Sequence, residues 1–494
     1  THHCMLFNSL EFALFLPIVF LLYWFVFNKH LRLQNLFIVV VSYVFYGWWD
    51  WRFLLLIAFT TFCSWLSGVL IQKYREKRES NPTQINWAKV VSATNIILNL
   101  GILGAFKYYN FFVNSFVEAF ASFDIHLQPT TLYIILPVGI SFYTFQALSY
   151  SVDVYRKQLE PTKDIVSFFA YVSFFPQLVA GPIERATNLL PQFYIKRVFD
   201  YNKAADGMRQ ILWGLFKKIV IADNCAVYVN QVFDNYEIHT GSTLLLAAIF
   251  FAFQIYGDFS GYSDIAIGTA RLFGFNLMRN FNFPYFSRDI AEFWRRWHIS
   301  LSTWFRDYLY IPLGGSRGGK WMSVRNTLII FTVSGFWHGA NWTFIVWGAF
   351  HGLLFLPLLL AKKNRKNTNI VAENRLLPTP IELFQMGTTF LLVVIGWVFF
   401  RADSIADAIN YISHIINISL LKPPLIINTI SFMFPLFISI FVLISMEWIH
   451  RKYEYGLQLP FRLHQNFRWG LYIIIIFFIL IFGASSESFI YFQF

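Results

Sequence analysis

Three histidines, His298, His338 and His351, lie in the one stretch of this sequence, residues 287–352, that joins a polar, aromatic segment to a strongly apolar one. His298 stands among Arg and Trp residues in the first segment, and His338 is the first titratable group of the second. A histidine flanked by apolar residues tends to stay neutral, because burial penalises its charged form. Since a neutral imidazole can accept a proton, His338 is a candidate general base.

The composition predicts a polytopic membrane protein. The chain has 494 residues, of which 56% are hydrophobic and 13% are charged, and its mean hydropathy is +0.50. Soluble proteins carry about 25% charged residues. The net charge of +12 comes from basic residues that cluster in loops, as the positive-inside rule describes, so nucleic-acid binding is not indicated. An ionisable group at membrane depth, such as His338, is by default a functional candidate.

The sequence carries no metal, redox or nucleotide-binding motif. Its three cysteines, Cys4, Cys63 and Cys225, lack metal-ligand or redox spacing, and no CxxC, HExxH or Walker pattern occurs. Residues 314–318 fit the pattern GxSxG, but a nucleophile elbow needs a strand before it and a helix after it in an α/β sheet. We therefore expect no metal and no bound cofactor, and we reject a serine hydrolase.

We predict a single integral-membrane domain over residues 5–494. Residues 1–4 precede Met5, the expected natural start, and we exclude them. Apolar runs long enough to cross or enter the bilayer number roughly 11–13. The sequence shows neither a soluble domain nor a convincing repeat.

Three apolar stretches predict details of the backbone. Residues 165–179 are apolar but short, and the Ala-Gly-Pro that follows predicts a broken or re-entrant helix. Residues 131–151 predict a span that is kinked by an internal proline and glycine. The leg from Asn326 to Trp337 has 12 residues, which is about 18 Å of helix. The hydrocarbon core is about 30 Å thick, so this leg would leave His338 inside the membrane.

Seven longer motifs follow one another along nearly the whole chain. They are MLFNSLEFALFLPIVFLLYW at the start, GISFYTFQALSYSVDVYR (139–156), FFPQLVAGPIER (174–185), GLFKKIVIADN (214–224), QIYGDFSGYSDIAIGTARLFGF (254–275), FWRRWHISLSTWFRDYLYIPLGG (293–315) and GFWHGANWTFIVWGAFHG (335–352). In this order they resemble the motifs of the membrane-bound O-acyltransferase (MBOAT) superfamily, and specifically of its bacterial alginate O-acetyltransferase branch.

The resemblance implies a fold, an activity and a location. The fold would be an all-α polytopic membrane protein, an MBOAT-type bundle of transmembrane or re-entrant helices around a central funnel or tunnel. Members of this branch resemble acyl relays of the bacterial cytoplasmic (inner) membrane, which pass an acyl group from a cytoplasmic thioester toward the outer face. The donor would be acetyl-CoA or the phosphopantetheine thioester of an acyl carrier protein. The acceptor would be a polysaccharide, served by an extracytoplasmic acetyltransferase partner.

The resemblance also implies roles for the two histidines. His338 falls in the WHG motif, which holds the family's proposed catalytic histidine, and His298 matches the second motif histidine. A hydroxyl that attacks a thioester must lose its proton, which a histidine can accept and later pass to the thiolate. The oxyanion needs donors, for which Asn341, a tryptophan indole N–H or protonated His298 are candidates. A purely structural packing role is the alternative for both histidines.

Supporting or substrate-binding roles are expected for seven residues near these motifs: Asn341, Trp337, Asp307, Arg306, Tyr256, Asp258 and Ser260. For the aspartates we favour pairing with arginines over orienting a histidine, since unpaired charges in a membrane are costly. The aspartates are Asp258, Asp264 and Asp307, and the arginines are Arg295, Arg296 and Arg306. We expect His351 to be a hydrogen-bonded interhelical group, with a site role as its alternative.

Three basic residues just before the WHG motif have two possible uses. Arg317, Lys320 and Arg325 could contact the phosphates of CoA or phosphopantetheine. They could equally be charges that only fix membrane topology.

Two other functions stay open on the sequence. The first is D-alanyl transfer to teichoic acid from an acyl carrier protein. The second is a non-enzymatic transporter or scaffold for a glycan-modification complex, although the inverted repeats and paired broken helices that transporters often show are not evident.

Overall fold

The computed structural model describes residues 5–80, 85–128, 131–132, 134–425, 430–459, 464–483 and 489–490, so residues 1–4, set aside above, lie outside it. Within these ranges the chain forms helices, turns and loops and contains no strand, which confirms the all-α prediction. The α-helices of the described residues are α1 Leu10–Leu21, α2 Leu31–Gly47, α3 Arg52–Ser80, α4 Trp87–Leu103, α5 Tyr109–Ala121, α6 Ile140–Tyr155, α7 Ile165–Ser173, α8 Phe175–Leu178, α9 Ala186–Leu189, α10 Tyr201–Leu215, α11 Asp223–Phe233, α12 Gly241–Leu272, α13 Ile290–Arg296, α14 Ile299–Phe305, α15 Lys320–His338, α16 Trp342–Leu360, α17 Pro380–Arg401, α18 Ile405–Ile415, α19 Ile430–Ile449 and α20 Gln465–Phe482. Turns of π-helix cover Leu22–Val26, Gly104–Tyr108, Phe216–Ala222 and Arg306–Tyr310.

Several of these helices have the length and hydropathy of membrane spans. Among the described residues six stretches qualify: Arg52–Ser80, Trp87–Ala121, Gly241–Leu272, Trp342–Leu360, Pro380–Arg401 and Gln465–Phe482. Three further apolar helices are shorter: Leu10–Val26, Leu31–Gly47 and Met433–Ile449. The protein is therefore a multi-pass membrane protein, as its composition predicts.

The contacts divide the chain into two compact units. The first comprises Thr1–Ala204 with Thr269–Leu277, and the second comprises Ala205–Gly268 with Met278–Phe494. In the first unit α6 is buried along most of its length and packs against α3 and α4. In the second unit α15 and α16 form the most extensive helix pair. That the chain is one integral-membrane domain stays a prediction.

The backbone of the first unit confirms one predicted interruption and corrects another. The apolar stretch 165–179 is indeed broken, but the break lies at Phe174, which leaves the helical region with ψ 106° between α7 and α8, before the Ala-Gly-Pro from which it was predicted. The span predicted over residues 131–151 is wrong in its first part, since α6 begins only at Ile140. Gly139 directly before it has φ +71°, a left-handed conformation that glycine adopts without a Cβ penalty. The glycine therefore starts the helix rather than kinking it.

The helix that carries His338 is longer than predicted. It begins at Lys320 rather than at Asn326, so its 19 residues extend about 28 Å rather than about 18 Å. Asn326 lies inside the helix, where its Nδ2 donates to the carbonyl oxygens of Leu313 at 3.1 Å and Gly315 at 2.8 Å. The length inferred from the sequence is therefore wrong, and the depth of His338 in the bilayer stays a prediction.

Two glycines bring α15 and α16 into backbone contact. A Cβ at Gly335 would overlap the carbonyl oxygen of Phe344, and a Cβ at Gly348 would overlap that of Phe331. Small residues at such crossings let helices approach closely, which is how helices associate in a bilayer. The pair is thus fixed by the absence of two side chains.

Gly335→Ala should destabilise the protein, because the added methyl group has no space at this crossing. Overpacking of this kind costs about 1–3 kcal/mol of unfolding free energy. Thermal denaturation in detergent micelles measures the effect. Gly387→Ala in α17 is the matched control, since a Cβ there meets open space; equal melting temperatures for the two variants would contradict the crossing.

Candidate active site

His338 is the last residue of α15 and lies in a tight turn before α16. Its exposed fraction is 3%. Gly339 follows it, and a Cβ at this position would overlap the ring of Phe344, so the turn needs glycine. Asn341 ends the turn by capping α16: its side chain accepts the N–H of Thr343 at 3.0 Å. The WHGAN sequence therefore forms this turn for local reasons that also fix the histidine.

Aromatic rings surround the His338 imidazole. Its centroid is 5.0 Å from the ring of Trp337, 5.1 Å from that of Trp347 and 5.6 Å from that of Phe400. All three contacts are edge-on, which is a favoured geometry for aromatic pairs. These rings orient the imidazole and exclude bulk water, so electrostatic interactions at this position are stronger than in solution.

His298 joins His338 from the turn between α13 and α14. It is fully buried, and the two imidazole centroids are 6.2 Å apart. Its φ of +44° places it in the left-handed region, which non-glycine residues rarely adopt. Asn280 secures the turn, since its Oδ1 accepts the hydroxyl of Ser300 at 2.9 Å and its carbonyl accepts the N–H of Ile299 at 2.9 Å. Two histidines that lie 40 positions apart in the sequence thus share one site.

A buried carboxylate anchors the helix that precedes His298. Glu292 accepts from Arg288 at 3.0 Å and from Arg296 at 2.7 Å. Both arginines also donate to the carbonyl oxygen of Asn369. The N-cap residue Asp289 accepts the N–H of Glu292 at 2.7 Å. Arg296 is therefore part of this cluster and not a partner of the predicted aspartates.

The aspartates of α12 form buried ion pairs, but with lysines. Asp258 lies 2.8 Å from the Nζ of Lys218, and Asp264 lies 2.6 Å from the Nζ of Lys217. The hydroxyl of Ser260 also accepts from Lys217 at 2.9 Å. Pairing is thus confirmed for both aspartates, whereas the predicted arginine partners are wrong. Breaking one partner of a buried pair leaves a costly unpaired charge, so these groups depend on each other.

Four other candidate residues also have protein partners. The hydroxyl of Tyr256 donates to Glu447 at 2.8 Å, and Asp307 pairs with Arg306 at 2.6 Å as expected. The Nδ2 of Asn341 donates to the carbonyl oxygen of Asp403 at 3.0 Å. These contacts give the residues structural roles, and their contact with a substrate stays a prediction.

Trp337 is the supporting candidate whose ring contacts both histidines. Its centroid lies 5.0 Å from the His338 ring and 6.0 Å from the His298 ring. Two further residues, Phe400 and Phe259, are not predicted from the sequence, and their rings pack on His338 and His298 respectively. No sequence signal separates these two from the many other phenylalanines.

The lysine pair is the other feature that the sequence analysis missed. Lys217 and Lys218 lie in the π-helical turn Phe216–Ala222, directly after a helix and before an apolar run. Here a signal was available, because ionisable groups inside apolar stretches need partners. The nearby carboxylates of the YGDFSGYSD segment were the obvious candidates.

His351 packs against the ring of Trp347, which also contacts His338. Its imidazole contacts Trp294 at 5.1 Å and Trp347 at 5.2 Å, and Gly396 leaves space for its Nε2 edge. Within the part of the chain that the structure describes, neither ring nitrogen has a hydrogen-bond partner. The prediction that His351 is a hydrogen-bonded interhelical group is therefore wrong for these residues, and a site role for His351 stays a prediction.

A cavity of about 950 Å³ runs along α15 and is lined by residues up to Ser334, one helical turn before His338; neither histidine is among its lining residues. Thr327, Phe331 and Ser334 line it. These residues are spaced by four and three positions, and His338 follows Ser334 by four, so all share one helix face. Trp294 lines the same cavity and lies four residues before His298. The cavity therefore follows the faces of both elements that end at the histidines.

The cavity has a basic lining. The described residues that line it include no Asp or Glu and five basic residues: Arg295, Arg306, Lys320, Lys362 and Arg365. Of the three basic residues that could contact donor phosphates or only fix membrane topology, Lys320 lines the cavity, whereas Arg317 and Arg325 do not. Clustered Arg and Lys side chains are suited to bind phosphate groups.

Two other chemistries find no support in the described residues. Within them, no three His, Cys, Asp or Glu side chains are placed to hold a metal ion. The GxSxG segment is a turn after a π-helical segment, with φ +99° at Gly314 and +57° at Gly315. It therefore lacks the preceding strand that a nucleophile elbow needs.

Comparisons with known proteins identify the family. The family model described as the membrane-bound O-acyltransferase family matches residues 157–379. The probable alginate O-acetylase AlgI of Pseudomonas aeruginosa is 42% identical over 406 residues, which cover 82% of this chain and 73% of that protein. The peptidoglycan O-acetyltransferase of Helicobacter pylori is 34% identical, and the match covers 84% of this chain and 80% of that protein. The teichoic acid D-alanyltransferase of Streptococcus thermophilus is 29% identical, and the match covers 49% of this chain and 62% of that protein.

The identity and coverage of these relatives go beyond a shared fold. They make the chain an acyltransferase, and the non-enzymatic alternative of a transporter or scaffold is set aside. The chain belongs to the membrane-bound O-acyltransferase family, in its alginate O-acetyltransferase-like branch.

Proposed function

We propose that this protein relays an acyl group, with acetyl favoured, from a cytoplasmic thioester across the membrane for O-acetylation of an extracytoplasmic polysaccharide. The observation that carries the proposal is the pair of buried imidazoles, 6.2 Å apart, with a basic cavity lined by residues of the helices next to them. Two relatives with O-acetylation of alginate or peptidoglycan in their names support the acceptor class. The bacterial inner membrane is the proposed location.

His338 acts as the general base. It accepts the proton of the attacking hydroxyl while the new C–O bond forms at the acyl carbon, and the C–S bond of the thioester then breaks. The same imidazole returns its proton to the departing thiolate, so the net products are an ester and a thiol. The aromatic rings around His338 hold it in one orientation, which removes the entropy cost of alignment from the reaction.

His298 and Trp337 stabilise the tetrahedral intermediate. Both contact the His338 ring, and each carries an N–H that can donate to an oxyanion. The left-handed backbone at His298 sets its ring toward His338 rather than along α14. Asn341 is a further candidate donor, although its amide already bonds the Asp403 carbonyl.

The donor enters through the basic cavity. Its volume of about 950 Å³ is at the upper end of the range for ligand sites, about 300–1,000 Å³. CoA carries a pyrophosphate and a further phosphate, which Lys320, Lys362 and Arg365 can bind while the thioester extends along α15. A phosphopantetheine arm has a single phosphate, so five basic lining residues favour acetyl-CoA.

The acceptor side involves a partner. The sequence resemblance implies an extracytoplasmic acetyltransferase that completes transfer to the polysaccharide. The chain itself supplies the membrane step, in which the acyl group leaves the cytoplasmic thiol. D-alanyl transfer from a carrier protein is the competing outcome, supported by a relative of lower identity and coverage.

His338→Ala should abolish acyl transfer, with a loss of about 10²–10⁴-fold, because general-base catalysis contributes that much. The readouts are thioester turnover by the purified protein and the acetyl content of cell-surface polysaccharide. His126→Ala, at an exposed loop histidine, is the matched control. Retained turnover in a variant that melts like the wild type would contradict the role of His338.

Lys320→Gln and Arg365→Gln should each raise the KM for acetyl-CoA about tenfold, since a hydrogen bond to a charged group contributes roughly 1.5–3 kcal/mol. The value of kcat should change little, because these contacts hold donor and transition state alike. Arg317→Gln, outside the cavity lining, should leave KM unchanged.

An equal rise of KM for Arg317→Gln would mean that general surface charge, not the cavity, attracts the donor. Turnover of an acyl carrier protein thioester, with none of acetyl-CoA, would instead favour the D-alanyl alternative.

A further inference from the structure

A second cavity, of about 630 Å³, lies wholly within the first unit. It forms where residues 192–203 pass the turn after α12. Gln192 and Asn276 close one rim by a reciprocal pair: Gln192 Nε2 donates to the Asn276 carbonyl at 2.9 Å, and its Oε1 accepts the Asn276 N–H at 2.8 Å. Trp24 fixes another wall by donating to the Leu272 carbonyl at 2.9 Å. The cavity walls are therefore held by specific hydrogen bonds.

Arg197 places a fixed positive charge in the wall. Its exposed fraction is 7%, and its Nη2 donates to Gln34 Oε1 at 2.9 Å and to Asn35 Oδ1 at 2.6 Å. The guanidinium also lies 4.9 Å from the ring centroid of Phe275. Among the described residues it forms no ion pair with a carboxylate; neutral oxygens and rings surround it. A buried cation without a counter-ion favours an anion beside it.

The other charged lining residues strengthen this imbalance. Lys196, Lys203 and Arg271 also line the cavity, against one acidic residue, Asp200. The Oδ1 of Asp200 accepts the backbone N–H groups of Asn202 at 2.9 Å and Lys203 at 3.2 Å. That carboxylate therefore caps the start of α10. Four basic residues and one acidic residue leave a formal charge of +3 on the lining.

Apolar side chains alternate with these charges and point outward. Ile195, Val198 and Tyr201 all line the cavity and are all largely exposed. A basic segment with exposed apolar and aromatic side chains is typical of protein surface at the headgroup level of a bilayer. An anion that also offers hydrocarbon to these side chains is a phospholipid.

We propose that this cavity binds the phosphate headgroup of an anionic phospholipid. Arg197 and the two lysines, Lys196 and Lys203, contact the phosphate oxygens. Ile195, Val198 and Tyr201 contact the first part of the acyl chains. The site is separate from the acyl-transfer cavity, with which it shares no lining residue.

The test uses the full chain in nanodiscs of phosphatidylcholine with a minor fraction of phosphatidylglycerol. Native mass spectrometry measures how strongly the released protein retains phosphatidylglycerol over phosphatidylcholine. The double variant Lys196→Gln/Lys203→Gln should lower this preference about 30-fold, since each basic residue near an anionic surface contributes roughly fivefold to binding. The matched control is Lys73→Gln/Lys77→Gln, which removes two exposed lysines of the same unit outside the cavity.

Preference kept in the control and lost in the cavity variant supports the site. Equal losses in both variants would overturn it, because net charge alone would then explain binding. A second arm adds inorganic phosphate during reconstitution. Displacement of the lipid by phosphate at equal concentration would also overturn the assignment, since the cavity would then bind free anions without using the acyl chains.

Discussion

The backbone contact between α15 and α16 is the constraint on which the candidate active site depends. Gly335 and Gly348 let the two helices touch at carbonyl distance, so the turn after His338 must reverse within a few residues. This brings Trp347 of α16 beside the imidazole. Because lipid offers no hydrophobic drive for helix pairing, close packing has to supply it. The position of His338 is thus a consequence of helix packing rather than of a dedicated loop.

Polar groups elsewhere in the second unit follow a complementary rule. Each buried carboxylate of α12 has an ammonium partner, and Glu292 has two guanidinium partners. Such pairs contribute little net stability compared with apolar packing, but they are costly to break. They therefore select one arrangement of α12, α13 and the π-helical turn, and that arrangement sets His298 against Phe259.

Much of this organisation can be predicted from the sequence where chemistry is local. His298 and His338 stand out because ionisable residues in an apolar chain are costly and therefore often functional. Trp337 stands next to His338 in the WHG motif, and the structure brings these three residues together. The break after Ser173 is likewise local, since the apolar leg is short. Family resemblance then connects the motifs that periodicity alone leaves separate.

The remaining features depend on contacts between distant residues. The sequence predicts that a helix starts at Asn326, but Asn326 lies inside α15. There its side-chain amide donates to the carbonyl oxygens of Leu313 and Gly315, which precede the helix. The lysine partners of Asp258 and Asp264 lie 40 and 47 positions earlier in the chain. The sequence indicates that these lysines need partners, but it does not show which carboxylate each lysine meets. The backbone at His298 is left-handed, a conformation that glycine or asparagine adopts at a lower conformational cost than histidine. A glycine at position 298 would relieve the backbone and at the same time remove the imidazole that faces His338, so the conformation and the ring cannot both be optimal at this position.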